Sequence, residues 1–391
     1  MSGKIDGTHD DDGSQGTAAS RLLSSTNIWS DSPSPPPAPK PVPAPPPAPV
    51  LQAPAAVECV TIVAPAPSRV EQWPPRKLSL ALQGGGSFAA FTWGVLERLL
   101  EEPSIEFDTI SGASAGAINA LLLAGGLAEG GREGARSRLN RFWLRLMHEA
   151  SFRSLMLIGG FSPAGSSVAF GPTLRSGQFD PFDLDPLRQA LLRDINFAAL
   201  HHAKCPKLLI AATRIRDGQQ QIFGNEALTA DVALASTCPP LVHCAVEIDG
   251  EAYWDGGFGG NPPLIKLAQQ STTADLLLVQ VTPTRDNYVP ITLAAIDRRL
   301  DQIAANAALN AEIAAIAWAK ASAAPPLRLS RIAAEDSVDG LAQRSSTDLG
   351  RGFIRTLHRS GREAAARWLG QGASAGASQP VRTLSTEPTL A

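Results

Sequence analysis

"FDTISGASAGAINALLLAGGL", residues 107–127, sets one serine between an apolar run and a helix-forming run. The apolar part, ending at Gly112, reads as a buried strand, and the part from about Ala115 reads as a helix. Between them the turn holds only small residues, with Gly112 and Gly116 two positions either side of Ser114. A strand-to-helix turn this tight is a nucleophile elbow: it exposes the serine hydroxyl and places the helix's unpaired N–H groups behind it. The positive end of the helix dipole favours an oxyanion there. The pattern is short, however, and a tight turn whose serine merely caps the helix is also compatible with it. No residue of the turn is a base, so the proton acceptor comes from elsewhere in the chain.

Upstream, "LALQGGGSFAAFTWGVLERLL" closes a strand (77–83) with Gly84, Gly85 and Gly86 and opens a helix (88–102). Three residues without Cβ can present successive backbone amides to an anion. A nucleotide loop is one reading, but a P-loop needs a Gly-Lys-Ser/Thr ending, and a dinucleotide fingerprint needs glycine where Ala89 stands. With a serine elbow one βα unit later, an oxyanion hole is the better reading. A plain flexible helix-entry turn is the alternative.

Downstream, "VEIDGEAYWDGGFGGNPPL" (246–264) makes a hairpin turn at Asp249-Gly250 and reaches Asp255, followed by Gly256 and Gly257. A carboxylate beside two glycines can approach another loop closely, which makes Asp255 the candidate base. An aspartate in such a loop is also a common turn-former. Of the six histidines, His9, His148, His201, His202 and His358 lack any strand-end loop that would deliver a ring to Ser114. His243, in "STCPPLVHCAV" shortly before Asp255, is the one to watch. A Ser-Asp dyad remains. Aspartate in water is a poor base, with a pKa of about 3.9, so this dyad requires burial to raise it.

The rest of the chain alternates strands with helices. "KLLIAATRIRDGQQQIF" (207–223) reads as a hairpin, "ADLLLVQVTP" (274–283) as a buried strand, and 291–321 as a long Ala-rich helix or helix pair. This order predicts an α/β fold with a mainly parallel central sheet covered by helices on both faces. Twelve of residues 33–54 are proline, which excludes helix and sheet and favours an extended spacer. Residues 1–75 are therefore expected to be a disordered arm, which a proline-binding module could dock. The expected core runs over 76–327, a helical extension packs on it over 328–369, and 370–391 is a disordered tail.

A net charge of -3 gives no electrostatic case for nucleic acid. No apolar run approaches the roughly 20 residues of a membrane span, and the N-terminus lacks the pattern of a secretory signal. The expected location is cytoplasmic, with peripheral membrane contact allowed. Cys59, Cys205, Cys238 and Cys244 show no metal spacing; Cys205 and Cys238 read as small buried residues, and disulfides are not implied.

"GGGSFA", "GASAG" and "DGG", in this order and context, resemble the patatin-like phospholipases, a family of lipid acyl hydrolases. The similarity runs from about Leu78 to Thr282 and more loosely to Leu369. The resemblance implies Ser114 as nucleophile, Asp255 as base, the amides of Gly84–Gly86 as oxyanion hole, an acyl-lipid substrate, and no metal or other cofactor. The loop departs from the family's pattern at Phe88 and Ala89, where a basic residue and a glycine are usual. The expected activity is phospholipase A-type cleavage of fatty-acyl esters through an acyl-enzyme. Alternatives are an esterase or thioesterase on a non-phospholipid ester, an inactive scaffold that recruits through the arm, and a phosphate-binding domain. The apolar run 151–174 is a candidate acyl groove or lid, or ordinary core.

Overall fold

The computed structural model describes residues 73–148, 185–238, 245–319 and 327–374. The bulk of the expected arm (1–72), the run 151–174, His243, Cys59, Cys244 and residues 375–391 lie outside the described residues. Eight strands form one sheet: β1 (Lys77–Leu82), β2 (Glu106–Ala113), β3 (Lys207–Arg214), β4 (Gln220–Phe223), β5 (Val246–Ile248), β6 (Glu251–Asp255), β7 (Asp275–Gln280) and β8 (Arg328–Ala333). Their order is β5-β6-β3-β2-β1-β7-β8, with β4 also paired to β3. The five strands β3-β2-β1-β7-β8 run parallel, and the β3–β4, β3–β6 and β5–β6 pairs are antiparallel.

Parallel strands buried on both faces need apolar side chains in both directions, and the sequence supplies them. Leu78, Leu80 and Leu82 of β1, with Leu277 and Val279 of β7, enter one core cluster. Ala81 of β1, with Leu276 and Leu278 of β7, enters the other. The first cluster is covered by α1 (Ala89–Leu100), α2 (Ala115–His148) and the C-terminal helix Arg351–Ser374. The second is covered by helices Leu264–Gln270 and Leu293–Ala319. Three shorter helices complete the described set: α3 (Asp185–Asp194), α4 (Phe197–Leu200) and α5 (Ala230–Ser236). In chain order the remaining helices are α6 (Leu264–Gln270), α7 (Leu293–Ala319) and α8 (Arg351–Ser374). The fold is thus the expected α/β sheet with helices on both faces.

Three expected boundaries change. Contacts with the core include Trp73, before residue 76: its ring lies 4.8 Å from that of Trp368, and its Nε1 donates to the Leu369 carbonyl at 3.1 Å. The segment from 328 is not purely helical, because β8 joins the sheet beside β7 over six paired residues before α8 begins. Finally, α8 continues to Ser374, taking in the first five residues of the expected tail. Within α2 the helix breaks at Gly130 and Gly131, where the backbone is non-helical. Cys238 is buried as expected, whereas Cys205 is only half-buried.

Candidate active site

The carboxyl ends of the parallel strands form one rim, the place where open α/β sheets bind ligands. The chain leaves β1 into Gly84–Gly86, leaves β2 into Ser114, and leaves β7 into Val281 and Thr282. Register brings the antiparallel strand β6 to the same place. Ala113 pairs with Ala211, and the next residue of β3, Ala212, pairs with Asp255. Residues 141 positions apart therefore meet: Ser114 Oγ donates to Asp255 Oδ2 at 2.8 Å.

Ser114 has a φ of 54°, a left-handed conformation that costs a non-glycine residue on the order of 1 kcal/mol. The turn holds it there by close backbone approach. A Cβ on Gly116 would lie 2.2 Å from the Leu82 carbonyl oxygen, and one on Gly112 would lie 2.7 Å from that of Gly116. The Ser114 amide donates to Ser236 Oγ at 3.2 Å. Of the first-turn amides of α2 behind it, those of Ala117 and Ile118 donate to the Ser114 carbonyl at 2.9 and 3.3 Å, and those of Ala115 and Gly116 have no intrahelical acceptor.

Asp255 is 3% exposed. Its Oδ1 accepts the Gly257 amide at 2.7 Å, its own amide donates to the Cys238 carbonyl at 2.9 Å, and its carbonyl accepts Thr213 Oγ1 at 2.8 Å. Burial pushes its carboxyl up to about 7, against the pull of the bonds from Gly257 and Ser114. Gly256 packs against the Ala211 carbonyl, leaving no room for a side chain there.

The glycine turn differs from the expectation at one residue. The Gly84 amide is already committed, donating to Asn261 Oδ1 at 2.6 Å, while Asn261 Nδ2 donates back to the Gly84 carbonyl at 3.2 Å. Gly84 thus holds the turn and is not a free anion donor. Its lack of a side chain is still required, because a Cβ would fall 2.6 Å from Ser114 Cβ. The amides of Gly85 and Gly86 have no acceptor among the described residues. A few residues beyond Asn261, Glu312 of α7 accepts the Leu264 and Ile265 amides at 2.6 and 2.7 Å. Sequence reading passed over Asn261, although its place in "GGNPP", six residues after Asp255, was a usable signal.

Phe88, the first departure from the family's pattern, is 2% exposed and meets Phe353 of α8 edge-on, with ring centroids 6.0 Å apart. It anchors the turn to the C-terminal helix through packing. Both Phe88 and the turn border a cavity of about 590 Å³ that contains Ser114, Asp255, Gly257, Asn261 and Thr282. One wall is α7, through Leu293, Ala294, Asp297, Arg298, Asp301, Gln302 and Ala305, and another is the turn 344–347. Burial, with Asp297 one turn away, pushes Asp301 up to about 7.

Among the described residues no histidine lines this cavity. His358 lies in the α1–α8 interface, where it bonds Glu97 Oε2 at 2.7 Å and stacks on Trp93. That bond, with Arg362 beside it, holds Glu97 down at about 2. His201 Nε2 contacts the Leu228 carbonyl, and His202 Nδ1 accepts the Lys204 amide. Among the described residues no His/Cys/Asp/Glu group is arranged to hold a metal ion.

The fold and its rim define a patatin-like α/β domain. Residues 80–268 match the family model described as patatin-like phospholipase. That match supports a lipid ester hydrolase. Comparison with curated proteins finds no match. Among solved structures the chain is similar to VipD from Legionella pneumophila, at 14% identity over 76% of this chain and 67% of that one, with a TM-score of 0.39. It is also similar to ExoU in the heterodimeric ExoU–SpcU complex of the type III secretion system of Pseudomonas aeruginosa. There the identity is 17% over 76% of this chain and 51% of that one, with a TM-score of 0.33. The chain spans about two thirds of the VipD chain and about half of the ExoU chain.

Proposed function

We propose that the domain is a lipid acyl hydrolase of the phospholipase A type, with Ser114 as nucleophile and Asp255 as base. The observation that carries this reading is the 2.8 Å bond between the two side chains inside the cavity. Asp255 takes the Ser114 proton as Oγ attacks the ester carbonyl, and the amides of Gly85 and Gly86 receive the oxyanion. The dipole of α2 adds to that stabilisation. Protonated Asp255 then gives its proton to the leaving alcohol. In the second half it accepts a proton from the water that attacks the acyl-Ser114 ester, then returns that proton to Ser114 Oγ as the fatty acid leaves.

Hydrolysis of medium-chain acyl esters by the purified chain tests this directly. Wild type is expected to turn them over and Ser114→Ala to lose the activity to background. Equal rates in the two proteins would refute the assignment. A substrate panel at equal acyl length separates a phospholipase from an esterase acting on neutral lipids or other esters.

Contact with a lipid surface belongs to the same proposal. No helix among the described residues is long and apolar enough to cross a membrane. Helix α7, however, turns an uncharged face outward: Leu293, Ile296, Leu300, Ile303 and Trp318 are all exposed, and Asn310 is the only polar residue on that face. Its charged residues lie on the sides turned toward the protein. Leu293 also lines the cavity, so a lipid aggregate lying on this face would meet the substrate entrance. The double variant Leu300→Asp, Ile303→Asp is expected to weaken co-sedimentation with zwitterionic vesicles at least roughly tenfold. Unchanged co-sedimentation would remove this face from the proposal.

A further inference from the structure

The turn Arg344-Ser345-Ser346-Thr347 lies between β8 and α8, outside every motif read from the sequence, yet all four residues line the cavity that holds Ser114. It is tied to the glycine turn, since the Ser346 carbonyl accepts the Ser87 amide at 2.7 Å. Ser87 follows Gly86 directly, so the two turns form one continuous wall. The Arg344 guanidinium lies 5.3 Å over the Phe353 ring, the same ring that meets Phe88. Its ion pair is with Asp348 at 3.8 Å, and 59% of the Arg344 side chain is exposed. An exposed pair at that distance leaves most of the cation's capacity unused.

The turn also carries donors without acceptors. The Ser346 hydroxyl and the amides of Ser345 and Ser346 have no hydrogen-bond partner among the described residues. The cavity's other cation, Arg298, differs. Its Nε donates to the Ala342 carbonyl at 3.2 Å, and it stands between Asp297 and Asp301 on α7. Arg298 thus has a carboxyl group on either side along α7, whereas Arg344 is accompanied by Asp348 alone, at 3.8 Å.

A guanidinium with adjacent hydroxyl and amide donors is the donor set that phosphate oxygens accept. We propose that the turn 344–347 is an anion subsite that holds the phosphodiester of a phospholipid while its acyl ester lies at Ser114. This rests on the acyl-hydrolase reading above and deepens it, because it makes the site selective for phosphorylated over neutral acyl esters.

The test compares lysophosphatidylcholine with the monoacylglycerol of the same acyl chain, both in the same detergent micelles. Arg344→Gln is expected to lower the ratio of the two kcat/KM values roughly 10- to 100-fold, the effect of losing a charged hydrogen bond. Ser346→Ala should lower it by about threefold, and Arg344→Lys should restore part of the loss. A ratio unchanged in Arg344→Gln overturns the proposal, whether or not both rates fall together through damage to the wall. Binding of glycerophosphocholine to the full chain, followed by calorimetry, gives a readout that needs no turnover. Loss of that binding in Arg344→Gln supports the subsite even if no ester is hydrolysed, the result that would remove the acyl-hydrolase reading alone. Inorganic phosphate binding as tightly as glycerophosphocholine, with the substrate ratio unmoved, would make this a free-phosphate site and overturn the lipid assignment.

Discussion

Asp255→Asn is expected to lower kcat/KM for acyl esters roughly 10²- to 10⁴-fold, the usual contribution of a general base, and to stabilise the fold above pH 7. Both effects follow from one buried carboxyl. Its pKa is raised from 3.8 to about 7 because burial disfavours the charged form. The folded state therefore holds this proton more tightly than the unfolded chain does. Between about pH 4 and 7 the unfolded carboxyl has released its proton and the folded one has not, so stability falls as pH rises through this window. Above 7 the deficit is constant, on the order of 2–4 kcal/mol for a shift of about three units. Asparagine carries no charge, so the variant escapes the deficit while keeping an acceptor for the Gly257 amide. Catalysis runs the other way, since Asp255 accepts a proton only when ionised. Wild-type kcat/KM should rise with pH and level off above about 7. Urea unfolding at pH 5 and pH 8, beside a pH–rate profile, checks both. A variant less stable than wild type at pH 8, or a rate flat from pH 5 to 9, would contradict this account of Asp255.

Gly116→Ala is expected to cost at least about 3 kcal/mol of stability, the upper range for overpacking a filled site. The added Cβ would sit 2.2 Å from the Leu82 carbonyl oxygen and 2.8 Å from its carbon. That obstacle is the backbone of β1, held between β2 and β7, so it cannot swing aside as a side chain would. Either α2 shifts away from the sheet, or the elbow opens and moves Ser114 from Asp255. Gly352→Ala is the matched control. It adds the same atom to a helix where nothing lies within 4 Å, and should be neutral or stabilising by about 0.5–1 kcal/mol. The chemical denaturation midpoint should fall in Gly116→Ala and hold or rise in Gly352→Ala. A wild-type midpoint for Gly116→Ala would mean the elbow is looser than described.

Much of the sheet was legible because its strands are short, apolar and bounded by glycine. The runs at 77–83, 105–112, 207–223 and 274–283 all became strands, and Asp249-Gly250 is a hairpin turn with both residues at positive φ. Ser114 and Asp255 could be singled out because each stands at the end of such a run beside glycines. β8 was missed for a physical reason: at the sheet edge it needs to be only half-buried, and Arg328 and Arg331 interrupt its apolar pattern. The commitment of the Gly84 amide was also illegible, since its acceptor Asn261 is 177 residues away and reached only through the fold. The same holds for the cavity walls, which α7 and the turn 344–347 bring to Ser114 from beyond every motif. The end of α8 was misplaced because Gly370 and Gly372 weaken the local helical signal, although the helix runs through them.

Fluorophosphonate labelling of the purified chain, with the adduct located by mass spectrometry, tests the central assignment most directly. The account predicts a single adduct on Ser114 in the wild type, none in Ser114→Ala, and strongly slowed labelling in Asp255→Asn. A folded wild type that takes no label, or a label on another residue, would contradict Ser114 as the nucleophile.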